Sequence, residues 1–173
     1  SHRTMETNAR FYSLSFGNIK TSLFAFLFIA GNILLPQLCH LIPAGGPTLL
    51  PIYFFTLIAA YKYGFRVGLL TALLSPVINH LLFGMPATSV LLPILIKSTL
   101  LAGAAAMTGH YTQKATVATL LIVVLAYQFI GTGFEWALCG DFYLAIQDFR
   151  MGIPGMLIQW WGGFLLLKAI RNL

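Results

Sequence analysis

The stretch SLFAFLFIAGNILL (residues 22–35) decides the fold. It carries no charge, and its apolar side chains do not alternate with polar ones. ATLLIVVLAY (residues 118–127) reads the same way. A membrane β-barrel strand needs that alternation. A helix satisfies its backbone groups internally, which a bilayer demands. Working outward, the whole chain of 173 residues is 58% hydrophobic and only 8% charged, with a mean hydropathy of +0.85. An average soluble domain has about 25% charged residues. The composition excludes a soluble globular domain, a disordered tail and a disulfide scaffold, since Cys39 and Cys139 stand alone. What remains is an all-α, multi-pass membrane protein forming one bundle, at about 20 residues per span.

Six apolar segments predict six spans, at residues 21–41, 49–63, 65–83, 87–107, 115–138 and 151–170. The breaks between them are local. IPAGGP (residues 42–47) holds two glycines and two prolines and predicts a flexible loop. YKYGFRVG (61–68) and FGMPA (83–87) are tight turns, TGHYTQK (108–114) is a polar connection, and CGDFYLAIQDFRMG (139–152) is the longest and most polar one. Residues 1–4 (SHRT) read as a remnant ahead of Met5, residues 5–20 as an interfacial segment with an apolar side, and 21–173 as a single six-helix transmembrane domain.

Charge orients this map. The net charge is +6, but the ten Lys and Arg never form a run, so nucleic acid is not the expected partner. With both termini cytoplasmic, Arg3, Arg10, Lys20, Lys62, Arg66, Lys114, Lys168 and Arg171 lie inside and Arg150 alone outside. That is the positive-inside bias. Glu135, Asp141 and Asp148 gather at the last outer loop.

Catalysis finds little footing. The sequence has no P-loop, no HExxH and no GxSxG, and only four acids. The expectation is therefore a binding protein, not an enzyme, with no cofactor. The expected outer end collects Asn32, Cys39, His40, Asn79, His80, Tyr127, Gln128, Glu135, Trp136, Gln159 and Trp160. Small-molecule sites combine such aromatic groups with a few placed polar ones. Each has a plainer reading. Trp136 and Trp160 also suit an interfacial belt, and Asn79 and Gln128 also suit interhelical hydrogen bonds. Glu135 reads as a carboxylate at the membrane surface which, beside Trp136, would suit an amine-bearing ligand. Lys97 is the sharpest residue. It falls near mid-span, where a charge costs about 2.5–3.5 kcal/mol or more. It calls for Glu135 or another buried acceptor, a ligand anion, or a partner. Cys39, His40 and His80 are weak candidates for a metal or for the cobalt of a corrinoid, because no short His spacing supports them. Small residues recur every four positions at Ser13, Gly17, Thr21 and Ala25, at Gly64, Gly68 and Ala72, and at Ala102 and Ala106. Such ladders permit close helix approach, within the chain or to a second membrane protein, and Gly17, Thr21 and Ala25 are the docking candidates.

Two stretches carry a family resemblance. LLPIYFFTLIAAYKYGFRVGLLTALLSPVINHLLFGMP (49–86) resembles the second and third helices of the substrate-binding S-components of energy-coupling factor (ECF) vitamin transporters. GIPGMLIQWWGGFLLLKAI (152–170) is similar to their last helix. The resemblance implies high-affinity binding of a vitamin or micronutrient near the outer face of a bacterial or archaeal cytoplasmic membrane. It makes the first loop, with Pro43, Gly45 and Gly46, a lid. It implies a membrane T-component and ATPase subunits as partners, reached through small residues on the first helix. Ala25 and Ala30 stand five apart, where the family has an AxxxA pattern. A solitary cobalamin-binding branch, in which a cysteine holds cobalt, is the variant in which Cys39 and His40 would matter. The alternative is a membrane scaffold of the MreD type, with the same helix count and no ligand.

Overall fold

The computed structural model describes residues 6–7 and 19–171. The proposed remnant (1–4), most of the interfacial segment, Ser13 and Gly17 lie outside the described residues. Glu6–Thr7 (β1) is extended, not helical, and pairs antiparallel with Ala115–Thr116 (β2).

The rest is helical. Among the described residues, four helices are long and apolar enough to cross a bilayer: α1 (Ile19–Cys39), α4 (Phe65–Phe83), α5 (Thr88–Thr112) and α6 (Val117–Cys139). Their outward faces carry exposed Leu23, Phe26, Leu27, Leu81, Leu92, Ile122 and Phe129. Exposed apolar side chains on every long helix are what a lipid-facing surface requires. An all-α membrane protein is the fold these helices form.

The second and sixth expected spans take other shapes. Residues 49–63 become a 3-10 turn (Pro51–Tyr53) and a short α3 (Phe54–Tyr63). Every residue of α3 from Thr56 to Tyr63 is buried. Apart from Thr56 and Lys62 the helix is apolar on every side, as an interior helix is, and α3 is the element around which α1, α4 and α5 pack. The sixth segment is broken into α9 (Ile153–Leu157), a π-helical turn (Ile158–Gly162) and α10 (Gly163–Ala169). TGHYTQK is not a free connection: α5 continues through Thr112, and Thr116 and Thr119 then cap α6 reciprocally.

IPAGGP also differs from the flexible loop expected. Gly45–Leu49 forms a single helical turn, α2, between Ala44 (φ 56°) and Leu50 (φ 48°). Pro47 fits because the first residues of a helix need no donated N–H. Two further short helices, α7 (Phe142–Ala145) and α8 (Gln147–Met151), fill the last polar connection. The cap is tightly seated. A Cβ on Gly155 of α9 would lie 2.5 Å from the carbonyl carbon of Leu49.

The small-residue ladders are spent on this packing. Gly68 and Ala72 are buried, and a Cβ on Gly68 would overlap the Cβ of Ala60 across the α3–α4 contact. Ala102 and Ala106 are buried as well. Thr21 and Ala25 are covered too, Ala25 in a cluster with Ala59, Tyr63 and Val67. That face of α1 is closed by the chain's own helices, not open for docking. Gly68→Val should cost about 1–3 kcal/mol through overpacking. The midpoint of SDS-induced unfolding in micelles would show it, and an unchanged midpoint would mean that α3 and α4 do not approach this closely.

Candidate ligand site

One end of the bundle, where α1, α4 and α6 finish and α5 begins, holds a cavity of about 290 Å³. Its wall is built from chain breaks. Pro36 comes from α1 and His40 from the turn just after it, Gly46 and Pro47 from α2, and Leu50 to Tyr53 from the 3-10 turn and the residue before it. Asn79 comes from α4, and Met85 to Ala87 from the next turn. The first half of α5 adds Val90, Pro93, Ile94 and Lys97, and Glu135, Gln147 and Asp148 complete it. The lining is largely apolar, with its charge confined to one group of side chains.

That group is an ion triad. Lys97 Nζ lies 3.0 Å from Glu135 Oε1 and 3.1 Å from Asp148 Oδ2. The lysine is 3% exposed and the two carboxylates 14% and 12%. Three elements meet here by plain geometry. Lys97 sits nine residues into α5, about 14 Å along the helix axis. Glu135 lies in the last turn of α6, and α8 brings Asp148 over the top. Gly131 makes room for the lysine: a Cβ there would sit 2.6 Å from Lys97 Cγ. Glu135 is thus not a surface carboxylate. It neutralises a lysine whose stem lies in the bundle, and so does Asp148, which sequence reading placed only among the acids of the outer loop.

Beside the triad, Asn79 is anchored with care. Its Nδ2 donates to the carbonyls of Asn32 (3.0 Å) and Ser75 (2.9 Å), while Oδ1 has no partner among the described residues. Two carbonyl acceptors fix which end of the amide is nitrogen. Asn32 is wholly structural. Its Nδ2 donates to Thr56 Oγ1 (3.1 Å) and Ser75 Oγ (3.3 Å), and its Oδ1 accepts from Phe55 N (3.1 Å).

The other sequence candidates divide. His40 and Gly46 line the cavity, and Gly45 is buried behind it, whereas Pro43 is exposed. Tyr127, Gln128 and Gln159 lie deeper and do not line it. The Tyr127 hydroxyl donates to Gln159 Oε1 and accepts from Gln128 Nε2 at 3.0 Å. Their link to the cavity is Tyr53, whose ring centroid lies 5.6 Å from that of Tyr127. His80 points away: its Nδ1 lies 2.7 Å from the Pro86 carbonyl and holds the 84–87 turn. Cys39 is half-buried outside the lining. Among the described residues no group of three or more His, Cys, Asp or Glu could hold a metal ion. Trp136 is 50% exposed, packs on Phe142 and does not line the cavity, so it offers no ring to a cation bound there beside Glu135. Trp160 donates its indole N–H to the Val117 carbonyl (2.7 Å), at the opposite end of α6.

Sequence reading missed Asp148, Tyr53 and Gln147. Asp148 left one trace, the excess of acids over bases in the last connection. Tyr53 left none, because it stood inside a segment that read as an ordinary span. No family model, curated protein or solved structure matches the chain.

Proposed function

We propose that this chain is the small-molecule-binding subunit of a membrane uptake system, of the S-component type that its sequence resembles. The observation that supports the reading best is the roofed cavity: an apolar vestibule with a few fixed polar groups, under the α2 cap, at one end of a helical bundle. A protein whose only task is to scaffold others has no need to hold a lysine and two carboxylates against a void. In this reading α3 and the broken last segment join the four long helices to complete six membrane-embedded segments. The termini are cytoplasmic in this reading, in line with the Lys and Arg bias, and the cavity faces outward. Uptake would then be driven by a T-component and ATPases in a bacterial or archaeal cytoplasmic membrane.

The cavity volume bears on the ligand. Pockets for drug-sized molecules span about 300–1,000 Å³, and this one stands at the lower edge. That favours a single-ring vitamin or micronutrient over a corrinoid macrocycle, and it leaves Cys39, His40 and His80 without a cobalt to serve. The test is a thermal-shift screen of the purified protein in nanodiscs against water-soluble vitamins and their precursors. A ligand present at about 100 times its Kd adds about 2.7 kcal/mol of stability, which moves the melting midpoint by several degrees. Stabilisation by one or a few single-ring compounds is expected. A screen in which no compound raises the midpoint, paired with capture of cell-wall synthesis proteins, would return the chain to the scaffold alternative.

A further inference from the structure

We infer that the cavity selects a cationic, N–H-bearing ligand: an ammonium, amidinium or protonated amino-heterocycle on a small ring. This rests on the reading of the cavity as a ligand site, and it names the chemistry of what enters.

The first argument is charge. One ammonium faces two carboxylates, so the Lys97–Glu135–Asp148 triad carries one negative charge in excess. Both carboxylates are mostly buried, and an uncompensated buried charge is costly. The basic side chain nearest in sequence, Arg150, is engaged elsewhere. Its guanidinium stacks 3.7 Å from the Tyr143 ring centroid, and its Nε donates to the Tyr143 carbonyl. His40, which also lines the cavity, is exposed to solvent and lies outside the triad. A ligand cation balances the charge, and an anion does not. An anion approaching Lys97 would meet two carboxylate oxygens within about 3 Å of the same nitrogen, and like charges at such distances repel strongly where water is scarce.

The second argument is independent and concerns hydrogen bonds. Asn79 is 1% exposed, lines the cavity, and has an orphaned Oδ1. Its Nδ2 is committed to two carbonyls, so the amide cannot turn over to offer a donor. A buried acceptor left unpaired costs about 1–3 kcal/mol. Only a donor repairs it. Glu135 Oε2 and Asp148 Oδ1 are acceptors too, because a carboxylate has nothing else to offer. The free polar atoms of Asn79, Glu135 and Asp148 are thus all acceptors, and the matching ligand is rich in N–H groups. Tyr53 in the wall supplies a ring on which a cation or a flat heterocycle can rest.

The experiment uses the full chain in nanodiscs, with calorimetry and thermal shift, and five single-ring probes of matched size. Benzylamine and benzamidine are cations, benzyl alcohol and benzamide neutral, and benzoate an anion. The cations should bind at least about tenfold more tightly than their neutral counterparts, the worth of about 1.4 kcal/mol, and benzoate least of all. Glu135→Gln and Asp148→Asn each leave Lys97 one carboxylate and should each remove about tenfold of the cation preference. Benzoate or the neutral probes ranking equal to the cations on the unmutated protein would overturn the inference without recourse to any variant. A vitamin from the screen above that binds equally well to the unmutated chain, Glu135→Gln and Asp148→Asn would overturn it while leaving the uptake reading in place. A chain that binds neither vitamins nor probes would remove both.

Discussion

Lys97→Met should destabilise the protein by about 3–5 kcal/mol, the usual cost of stripping one partner from a buried charge cluster. Methionine fills nearly the volume of the lysine stem against Gly131, so little of that loss comes from packing. What is lost is the ammonium that holds Glu135 at 3.0 Å and Asp148 at 3.1 Å. Two mostly buried carboxylates on neighbouring elements would then face one another without a counter-charge. Because Asp148 belongs to α8, which lies against α2, the effect should spread to the roof of the cavity. Limited proteolysis within residues 140–152 should speed up along with the fall in unfolding midpoint. The triple variant Lys97→Met, Glu135→Gln, Asp148→Asn separates causes. It has no charge to strand and should recover most of the lost stability while binding no cationic probe. If the single variant is as stable as the parent, the triad is solvated in the membrane and the electrostatic basis of the site fails.

Asn32→Ala should cost about 2–4 kcal/mol. One side chain bridges α1 to Thr56 and the Phe55 N–H of α3 and to Ser75 of α4. Individual side-chain hydrogen bonds between membrane helices average only about 0.6 kcal/mol. Three of them would explain the lower end of the range. The remainder comes from the Phe55 N–H, which stands in the first turn of α3 where no helical carbonyl can accept it. Without Asn32 Oδ1 the group loses its acceptor, and an unsatisfied backbone donor is costly. A functional consequence follows through the main chain. The Asn32 carbonyl accepts from Asn79, and Asn79 carries the orphaned acceptor in the cavity. Asn32→Ala should therefore weaken ligand binding by about tenfold although residue 32 does not line the cavity. Unfolding midpoints of the parent and Asn32→Ala in one detergent check the loss, and an unchanged midpoint would show that the bridge contributes nothing.

Much of this architecture was legible from residue order. Four of the expected spans coincide with long helices because a run such as residues 22–35 has only one way to satisfy its backbone in lipid. Lys97 announced itself by the cost of a charge at that depth, and Glu135 stood among several partners it called for, beside another buried acceptor, a ligand anion or a second protein. The lost details share a cause. Residues 49–63 and 151–170 read as spans since apolarity alone does not separate a lipid-facing helix from a core one. The structure shows α3 buried on all sides and the last segment opened into a π-helical turn around Gln159. Trp136 and Trp160 were grouped with the polar residues by position along the chain. One packs on Phe142 at the rim and the other bonds to Val117 at the far end.

Sequence by itself determined the solvent, the helical class and the approximate ends of the long helices, because transfer into lipid is a property of each segment taken alone. It also determined that Lys97 needs a counter-charge. Only the tertiary structure decided that Asp148 shares that duty, that Thr21 and Ala25 face inward, that α2 roofs a cavity and that Asn79 keeps an acceptor free. Those facts depend on which side chains from α1, α4, α5, α6 and α8 meet within a few ångströms. Residues 51 positions apart, such as Lys97 and Asp148, carry no mark of that meeting in their own neighbourhoods.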